Sequence, residues 1–570
     1  MATTLPRNAD VAEQLELLAD ILELEGEPGY RVLAYRRAAA RVRETATPVA
    51  QLALEGRAKE LPGIGKVIQE KIVQIVETGE IEALTRHKAL VPEDVVAFTK
   101  LPGLGPKTAL KIWQELGITT LAELRQAAAA ERLRGVPGIG PRLEQRVQNA
   151  LATKRRPIEV RPLLGQGLPA VRAVVSTLRE HPAADRVSEA GSVRRRKETF
   201  RDLDIIATAS DPKALVDHFT KLTWVAEIAA KGPTKATVVS SDGLRFDLRV
   251  VPPESYGNLL QHFTGSKEHN LALREDAVRR GFSVSEYGVK VVETGEVFTA
   301  KGEEELYERL GYAYIPPELR ENCGELEAAR KRELPELVEL SDLKGDLHTH
   351  TSWSADGKNT LEEMVEAAVG RGYAYYAVTD HSHYLRDGKL EGQRRQIEQL
   401  REGLPKRFRL LHGIEANIRA NGEVDVPDEE LAKLDWVMAS VHSGFDLDLT
   451  ERVVAAMENP RVHCIGHLTG RKINKRGPAE IDLDRVFQKA LETGTFLEIN
   501  SQPDRLDLTD VHARAAREAG VKVVVSTDSH EIRALDHAEL GVAQARRGWL
   551  TAEQVVNTRS WAQVKKLMKR

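Results

Sequence analysis

The most constraining feature of the sequence is a rhythm in its C-terminal half, where short apolar runs end in potential metal ligands. Between residues 345 and 530 such runs alternate with stretches of helical spacing. Alternating strands and helices predict a βα barrel, whose strands gather their C-terminal ends at one mouth. Nitrogen and oxygen ligands that converge there can bind two or three Mn²⁺ or Zn²⁺ ions. The nine candidate ligands are His348, His350, Asp356, His381, Glu415, His442, His467, Asp528 and His530.

Histidine is concentrated in this half of the chain, which supports a chemical role for it. Eleven of the 16 histidines lie at or after His348. A single histidine at a strand end is usually structural, whereas a repeated pattern of strand-end ligands indicates a metal site. The histidines outside the pattern are interpreted as ordinary residues, namely His383, His412, His463, His512 and His537.

A second feature is a five-residue motif that occurs three times, at 61–65, 101–105 and 136–140. Each copy has a Pro-Gly-aliphatic-Gly core and precedes a helical pattern. Such a turn presents bare backbone amides at a helix start, which can bind a DNA phosphate without reading sequence. One copy alone could be a tight turn between packed helices, but three copies favour helix-hairpin-helix DNA binding. The candidate phosphate-contacting glycines are Gly63, Gly65, Gly103, Gly105, Gly138 and Gly140.

Between these regions, a polar turn and two predicted strands indicate nucleotidyl transfer. Residues 191–195 read Gly-Ser-Val-Arg-Arg, which suits amides and guanidinium groups that bind phosphate. Asp202 and Asp204 share one face of a strand, because residues i and i+2 point the same way. A second strand at 244–250 would bring Asp247 alongside them. Three carboxylates repel one another unless cations lie between them, so we expect two Mg²⁺ or Mn²⁺ ions.

Together, the turn, the carboxylates and the glycine motifs resemble the X family of DNA polymerases over residues 10–320. The C-terminal order of ligands resembles the PHP (polymerase and histidinol phosphatase) domain, a metal-dependent phosphoesterase in which Glu415 would bridge two ions. The resemblance also implies six residues that contact the nucleotide, on the triphosphate, under the sugar and beside the new base pair. In that order they are Ser192 and Arg195, Phe263 and Gly265, and Asn270 and Arg274.

The resemblance implies a multidomain α+β and α/β fold, with a helical helix-hairpin-helix region, a nucleotidyltransferase palm and thumb, and a distorted βα barrel. The predicted segments are 1–95 (lyase-like, first helix-hairpin-helix), 96–158 (helix-hairpin-helix fingers), 159–250 (palm), 251–317 (thumb), 318–342 (a charged linker) and 343–570 (PHP domain).

Lys71, in the helix after the first motif copy, matches the family lysine that forms a Schiff base with a deoxyribose 5′-phosphate, and Tyr35 matches another family position. The phosphate pocket is poorly matched, because Arg31, Val67 and Ala83 stand where a relative with good lyase activity has lysines. A Schiff-base lysine also needs a lowered pKa. We therefore predict weak or absent lyase activity.

The resemblance and the DNA-binding motifs predict a DNA polymerase that fills short gaps in repair, with a 3′-5′ exonuclease in its PHP domain. We expect it to be a monomer that binds gapped or primed DNA without sequence preference and uses deoxynucleoside triphosphates. The 82 basic and 86 acidic residues give no net charge that would indicate nucleic acid. Two cysteines indicate a reducing cytoplasm, and no apolar run approaches the roughly 18 residues of a membrane span.

Two alternatives remain open at this point. Phe200 and Arg201 precede the first aspartate where better-studied relatives have small residues, so the palm could be weak and the chain chiefly a DNA-binding nuclease. In the other alternative, the palm modifies a small molecule and the barrel is a phosphatase. Three DNA-binding motifs argue against the second.

Overall fold

The computed structural model describes residues 5–6, 8–45, 48–61, 63–88, 91–99, 101, 104–152 and 160–568. Its backbone divides into two units. The first unit spans residues 1–160 with two short later segments, 445–450 and 475–484. The second unit holds residues 161–444, 451–474 and 485–570. No helix in the described residues is long and apolar enough to cross a membrane.

The first unit is helical, as predicted. Apolar residues at helical spacing, such as Leu15, Leu18 and Leu22, are buried in one continuous core that also holds Ile72 and Ile112. Its helices in the described residues are α1 (Asn8–Leu24), α2 (Gly29–Glu44), α3 (Val49–Leu54), α4 (Lys66–Thr78), α5 (Glu82–Lys88), α6 (Glu93–Phe98), α7 (Pro106–Leu116), α8 (Leu121–Ala129) and α9 (Pro141–Ala152).

The second unit begins with a five-stranded sheet in the order β1-β2-β5-β4-β3. Strands β2 and β5 are parallel, and the other neighbours are antiparallel. The inward side chains, such as Leu203 and Phe246, pack against α10. The elements are α10 (Leu164–Arg179), β1 (Ala184–Glu189), α11 (Gly191–Arg194), β2 (Leu203–Ala209), α12 (Pro212–Phe219), β3 (Val225–Lys231), β4 (Lys235–Ser240) and β5 (Arg245–Val250).

A mixed helical and hairpin region follows the sheet, with its own apolar core around Leu306, Tyr307 and Leu310. It contains a three-stranded antiparallel sheet in the order β6-β7-β8. The elements are α13 (Tyr256–Thr264), α14 (Lys267–Arg279), β6 (Phe282–Ser285), β7 (Gly288–Val291), β8 (Val297–Phe298), α15 (Glu303–Arg309) and α16 (Glu325–Lys331).

The charged segment 318–342, which the sequence predicts to be a linker, holds α16 and two fully buried charged side chains, Arg320 and Glu325. Arg320 donates to Glu303 at 2.5 Å, and Glu325 lies 2.6 Å from His269. Part of the charge in this segment therefore belongs to buried pairs, whereas Lys331 and Glu333 are exposed. The predicted domain boundaries stay predictions, and the one after residue 158 falls outside the described residues.

The C-terminal region is the predicted βα barrel. Its seven strands are parallel and ordered β15-β14-β13-β12-β11-β10-β9. The chain just past β9 also pairs with the chain just past β15, through Thr349 and Ser529, so the sheet nearly closes. The strands are β9 (Gly345–Asp346), β10 (Tyr375–Val378), β11 (Arg409–Asn417), β12 (Trp436–Ser440), β13 (Cys464–Gly466), β14 (Phe496–Asn500) and β15 (Val523–Ser526).

Helices connect and follow these strands, and buried Tyr375, Trp436 and Met438 are part of the barrel core. The helices are α17 (Leu361–Gly370), α18 (Lys389–Gly403), α19 (Asp428–Leu431), α20 (Thr450–Glu458), α21 (Leu483–Thr493), α22 (Asp510–Ala519), α23 (Ala538–Arg547) and α24 (Trp561–Leu567). The predicted fold class is confirmed.

Candidate active sites

The barrel strands deliver the predicted ligands to one end of the sheet. His348 and His350 follow β9, Glu415 lies in β11, His442 follows β12, and Asp528 follows β15. Three overlapping groups have ligand atoms that all lie within 4.8 Å of one another. They are His350, His381 and His530; His348, His350 and Asp528; and His381, Glu415 and His442.

Glu415 lies at the centre of the cluster. Its two carboxylate oxygens face five imidazoles, and its side chain is fully buried. The distances from Glu415 Oε1 are 3.1 Å to His467, 3.3 Å to His442 and 3.4 Å to His348, and those from Oε2 are 2.5 Å to His381 and 3.7 Å to His350. Asp356 completes the set, since its Oδ2 lies 3.3 Å from both His381 and His530. All nine predicted ligands thus meet in one cluster.

Several of these atoms have no hydrogen-bond partner among the described residues. They are His348 Nε2, both ring nitrogens of His350, His381 Nδ1, His467 Nδ1 and Glu415 Oε2, and all are buried. His381 Nδ1 and Glu415 Oε2 lie 2.5 Å apart but are not oriented as a hydrogen bond. A buried polar atom without a partner costs free energy, so clustering such atoms is unfavourable unless another group satisfies them. Imidazole nitrogens and carboxylate oxygens are the donors that Mn²⁺ and Zn²⁺ accept. The donor set therefore fits divalent metal ions.

The electrostatics of the cluster also suit cations. Burial opposes charge on Glu415, but the neighbouring His381, His442 and His348 outweigh it and hold its pKa well below the usual range. Burial lowers the pKa of His350 to about 3 and that of His467 to about 4. Burial opposes charge on His348 and His381 as well, but acidic neighbours, Glu498 first for His348 and Glu415 first for His381, outweigh it and raise the pKa of His348 well above its usual value and that of His381 to about 10. Metal binds the neutral imidazole, so an ion in this cluster would displace the protons of these two rings.

Glu498 orients the cluster from behind, and sequence reasoning missed it. Its Oε1 lies 2.7 Å from His348 Nδ1 and accepts a hydrogen bond from Ser526 at 2.6 Å, while Oε2 accepts from the His467 amide. A carboxylate on the second ring nitrogen fixes the tautomer and orientation of a ligating histidine. One feature of the sequence could have identified Glu498: it is a glutamate in the middle of β14, a strand that is otherwise apolar apart from its last residue. Asn417 similarly accepts from His442 Nδ1 at 2.5 Å.

The five-stranded sheet holds the second candidate site. The register of β2 and β5 places Asp204 directly beside Asp247, and Asp202 precedes β2 by one residue. Burial, and then repulsion from Asp202 and Asp247, raise the pKa of Asp204 to about 7. Asp247 is also held by Thr237 and, at 3.2 Å, by Arg245. Among the described residues, these carboxylates do not form a group with all ligand atoms within 4.8 Å.

The turn before this strand explains its glycine. Gly191 has φ +64°, and a Cβ there would lie 2.2 Å from Asp204 Oδ2. Only glycine therefore lets the turn that carries Ser192 pass so close to the carboxylate. Phe200 is buried in the palm core against Gly167, so the bulky residue that cast doubt on nucleotide binding is a packing residue.

The predicted nucleotide-contacting residues are placed around the same turn. Arg195 donates through Nε to Glu321 at 3.0 Å and through Nη1 to the Thr264 carbonyl, so its guanidinium is bound within the protein. Gly265 lies directly against it, since a Cβ at Gly265 would be 3.2 Å from Arg195 Nη1. Phe263 packs under Arg249, whose guanidinium carbon is 4.4 Å from the ring centre.

Asn270 and Arg274, both on α14, contact the same residue of α13, His262. Asn270 donates to the His262 carbonyl at 2.7 Å, and Arg274 Nη2 lies 3.0 Å from His262 Nδ1. Burial, and then Arg274, lower the pKa of His262. The two side chains are thus gathered on one side of α14, as their four-residue spacing predicts.

The repeated motif forms helix starts in the first unit. Gly65 and Gly105 immediately precede α4 and α7 as capping residues, and Gly140 immediately precedes α9. Gly63 and Gly138 have φ of +89° and +97°, which favours glycine. A Cβ on any of these five would meet nothing within 4 Å, so their backbones are open to a ligand. Gly103 lies outside the described residues.

Lys71 meets one of the two conditions for a lyase. Burial, and then Arg86 and Arg31, lower its pKa, which favours a nucleophilic amine. The phosphate side is weaker, because Arg31 is paired with Glu27 at 3.0 Å and Val67 is an exposed apolar side chain. Tyr35 is buried, which raises its pKa.

Comparisons with known proteins match both halves of the chain. The matching domain families are a helix-hairpin-helix domain (residues 6–81), a SAM-like helix-hairpin-helix tandem (95–153), the DNA polymerase beta thumb (259–321) and the PHP domain (346–502). A Bacillus subtilis protein named DNA polymerase/3′-5′ exonuclease PolX is 37% identical over 98% of this chain and 99% of its own length. A probable phosphatase of Acetivibrio thermocellus is 32% identical over 32% of this chain and 78% of its own length.

Proposed function

The chain belongs to the X family of DNA polymerases that carry a PHP domain, and from that premise we propose that it is both a DNA polymerase and a 3′-5′ exonuclease. The observation that carries the proposal is that one chain holds two separate clusters of potential metal ligands on two different sheets. One is the carboxylate pair on β2 and β5, and the other is the imidazole cluster around Glu415. The name of the similar Bacillus subtilis protein combines the same two activities.

We propose that Asp202, Asp204 and Asp247 hold Mg²⁺ or Mn²⁺ for polymerisation. Bound divalent ions would supply positive charge to the triphosphate and acidify the primer hydroxyl. The protein supplies the geometry: the β2–β5 register fixes two carboxylates side by side, and Gly191 lets the phosphate-binding turn approach them. Its amides and the Ser192 hydroxyl would orient the triphosphate.

In the barrel, we propose that the nine ligands hold two or three Mn²⁺ or Zn²⁺ ions for phosphodiester hydrolysis. Such ions would supply an acidified water and positive charge for the scissile phosphate. Glu415 would contact more than one of them, because its two oxygens face different histidines. Glu498 would keep His348 oriented toward the cluster.

The DNA substrate that fits best is a short gap, as in repair. The open glycine backbones before α4, α7 and α9 suit sequence-independent binding of DNA phosphates. We further propose that deoxynucleoside triphosphates are the palm substrates, and that the chain acts as a monomer in the cytoplasm.

A second candidate is a DNA-binding nuclease with a weak palm. The observation that favours it is Arg195, whose guanidinium binds Glu321 and the Thr264 carbonyl and is thereby occupied. The phosphatase alternative is disfavoured by the three open helix starts.

One assay separates these functions. Purified protein is incubated with a primed one-nucleotide gap and Mn²⁺, with and without nucleotides, and extended and shortened primers are resolved. We expect extension with nucleotides and shortening without them, and chelator should abolish both. Shortening without any extension would support the nuclease candidate. If both extension and shortening continue in chelator, neither proposed metal site is required for its activity and both are contradicted.

A further inference from the structure

His383 and Tyr384 form an aromatic pair beside the barrel cluster, and no role described above accounts for them. Their ring centres lie 4.0 Å apart. From the ligand His381, the ring centre of His383 lies 5.2 Å away and that of Tyr384 6.1 Å away. The sequence pattern predicts that His383 is an ordinary histidine, because His383 does not follow a predicted strand end.

The pair lies where the cluster opens to solvent. Burial is graded across the site: His348 and Glu415 are fully buried, whereas Asp356 is 48% exposed and His442 31% exposed. His383 is on the exposed side, since Asn417 lies 3.5 Å from it and also 2.5 Å from His442. The two rings therefore lie beside the exposed side of the cluster, from which a phosphodiester would approach.

The turn that carries the rings is anchored without them. The Ser382 hydroxyl donates to Asp425 at 2.7 Å, and the Asn417 amide donates to the same carboxylate at 2.9 Å. Ser382 is buried, whereas His383 is exposed and Tyr384 is partly exposed. The turn is thus held by hydrogen bonds that involve neither ring, and the exposed part of each ring remains available to a ligand.

We propose that His383 and Tyr384 form a stacking subsite for the terminal nucleobase of a DNA 3′ end whose last phosphodiester is in the barrel cluster. This inference rests on the proposed exonuclease function. Every base has an aromatic face, so such a subsite is tolerant of sequence, and one stacked base typically strengthens binding about 5- to 100-fold. The subsite would favour an unpaired DNA end over a phosphoester without a base.

The test compares two single-stranded oligonucleotides that differ only at the 3′ residue, which is either thymidine or a tetrahydrofuran abasic residue. The rate of first release, as kcat/KM with Mn²⁺, gives a ratio of base-bearing to abasic ends. We expect a ratio of about 5 to 100 for the natural protein. The ratio should fall toward one in His383→Ala/Tyr384→Ala and persist in His383→Phe/Tyr384→Phe, which keeps both rings.

Tyr287→Ala is the matched control, because it removes an exposed tyrosine from the β6–β7 hairpin, which contributes no residue to the cluster, and should leave the ratio unchanged. If the alanine variant lowers both rates in proportion, the rings act structurally and the stacking inference is wrong. The stacking inference is also wrong if the ratio falls to one in His383→Phe/Tyr384→Phe, because the imidazole nitrogens or the tyrosine hydroxyl would then be required. A natural protein that releases nothing from either end would contradict the proposed exonuclease, and this inference with it.

Discussion

At Asp204, folding places a carboxylate where its charge is poorly tolerated. Burial and two neighbouring aspartates raise its pKa to about 7, so the folded chain stores repulsion that cations relieve. A carboxyl whose pKa is raised by folding reduces stability at any pH above its unfolded pKa near 4, and the cost is complete above about pH 7. The cost disappears below about pH 4, where both folded and unfolded chains are protonated. The residue is therefore unfavourable for folding and suited to metal binding.

The first prediction follows from this balance. Asp204→Asn should abolish nucleotide incorporation and leave 3′ shortening intact, because the barrel has its own ligands. In chelator at pH 8, the same change should raise the free energy of unfolding by about 1–3 kcal/mol, and the gain should vanish near pH 4. Chemical denaturation at both pH values measures it. Asp185→Asn is the control, because Asp185 is an exposed residue of β1. Loss of both activities together in Asp204→Asn would contradict two independent sites.

Lys71 supports a second prediction at this scale. Its lowered pKa favours Schiff-base chemistry, but Arg31 is paired with Glu27 and Val67 offers no charge, so phosphate binding should be poor. We expect borohydride trapping on an incised abasic substrate to be no stronger than in Lys71→Ala. Strong trapping that disappears in Lys71→Ala would show that the amine suffices and would restore a lyase role.

Among the elements, the barrel strands position the ligands of the proposed nuclease site. His348 and His350 follow β9, two residues apart, and both reach the buried centre of the cluster. His348→Ala/His350→Ala should lower the rate of 3′ shortening by at least a thousandfold. The reason is that an ion lost from this position would take with it both the acidified water and the positive charge that faces the scissile phosphate. Gap filling should survive and its product should be trimmed less.

The controls for this third prediction use the chain's own histidines. His181→Ala/His218→Ala removes a ring pair from the palm, 4.7 Å apart, and should leave shortening unchanged. Shortening by the natural protein should stop in chelator and return with Mn²⁺. Shortening at the natural rate in His348→Ala/His350→Ala would mean that the barrel is not the nuclease.

The fourth prediction concerns Glu498, in the middle of strand β14. Replacing it with glutamine removes the carboxylate that faces His348 Nδ1 while nearly keeping its shape. We expect Mn²⁺ binding, measured by calorimetry, to weaken about 10- to 100-fold. Glu362→Gln, on the outer helix α17, is the control. Unchanged Mn²⁺ affinity in Glu498→Gln would show that Glu498 does not orient the cluster.

The sequence predicted elements whose pattern and chemistry coincide. Strand ends with histidine predict the barrel mouth, and the aspartates at i and i+2 predict β2. It could not predict partners that depend on tertiary pairing. Glu498 is far in sequence from His348, and Arg320 looked like a solvent-exposed linker charge although it is fully buried on Glu303.

Across the second unit, buried charges tie the palm turn to the barrel helices. Arg547, at the end of α23, donates to the Arg195 carbonyl at 2.8 Å, to Glu321 at 3.0 Å and to Asp510 at 2.6 Å. Its side chain is 2% exposed. Glu321 in turn accepts from Arg195, so one barrel arginine fixes both the backbone and the guanidinium partner of the phosphate-binding turn. A second link joins the largely buried Arg471 of the barrel to Glu198, just after that turn, at 2.5 Å.

The fifth prediction is that the barrel supports polymerisation through this arginine. Arg547→Met leaves Asp510 without its arginine and leaves Glu321 with Arg195 alone, and both carboxylates are largely buried, so the free energy of unfolding should fall by about 3 kcal/mol. The loosened turn should also raise KM for the incoming nucleotide several-fold. Arg547→Lys should recover part of both effects, and in a double-mutant cycle with Asp510→Asn the losses should be less than additive.

Arg172→Met is the matched control, because Arg172 also joins the palm to α23, through Glu539, but is 44% exposed. An exposed pair of this kind contributes about 0–1 kcal/mol, so both stability and KM should change little. If Arg547→Met lowers stability but leaves the nucleotide KM unchanged, the arginine holds the two domains together without positioning the turn. If Arg172→Met raises KM as much, any loosening of the domain contact suffices. Only a KM effect confined to the buried arginine shows that the barrel sets the geometry of the palm.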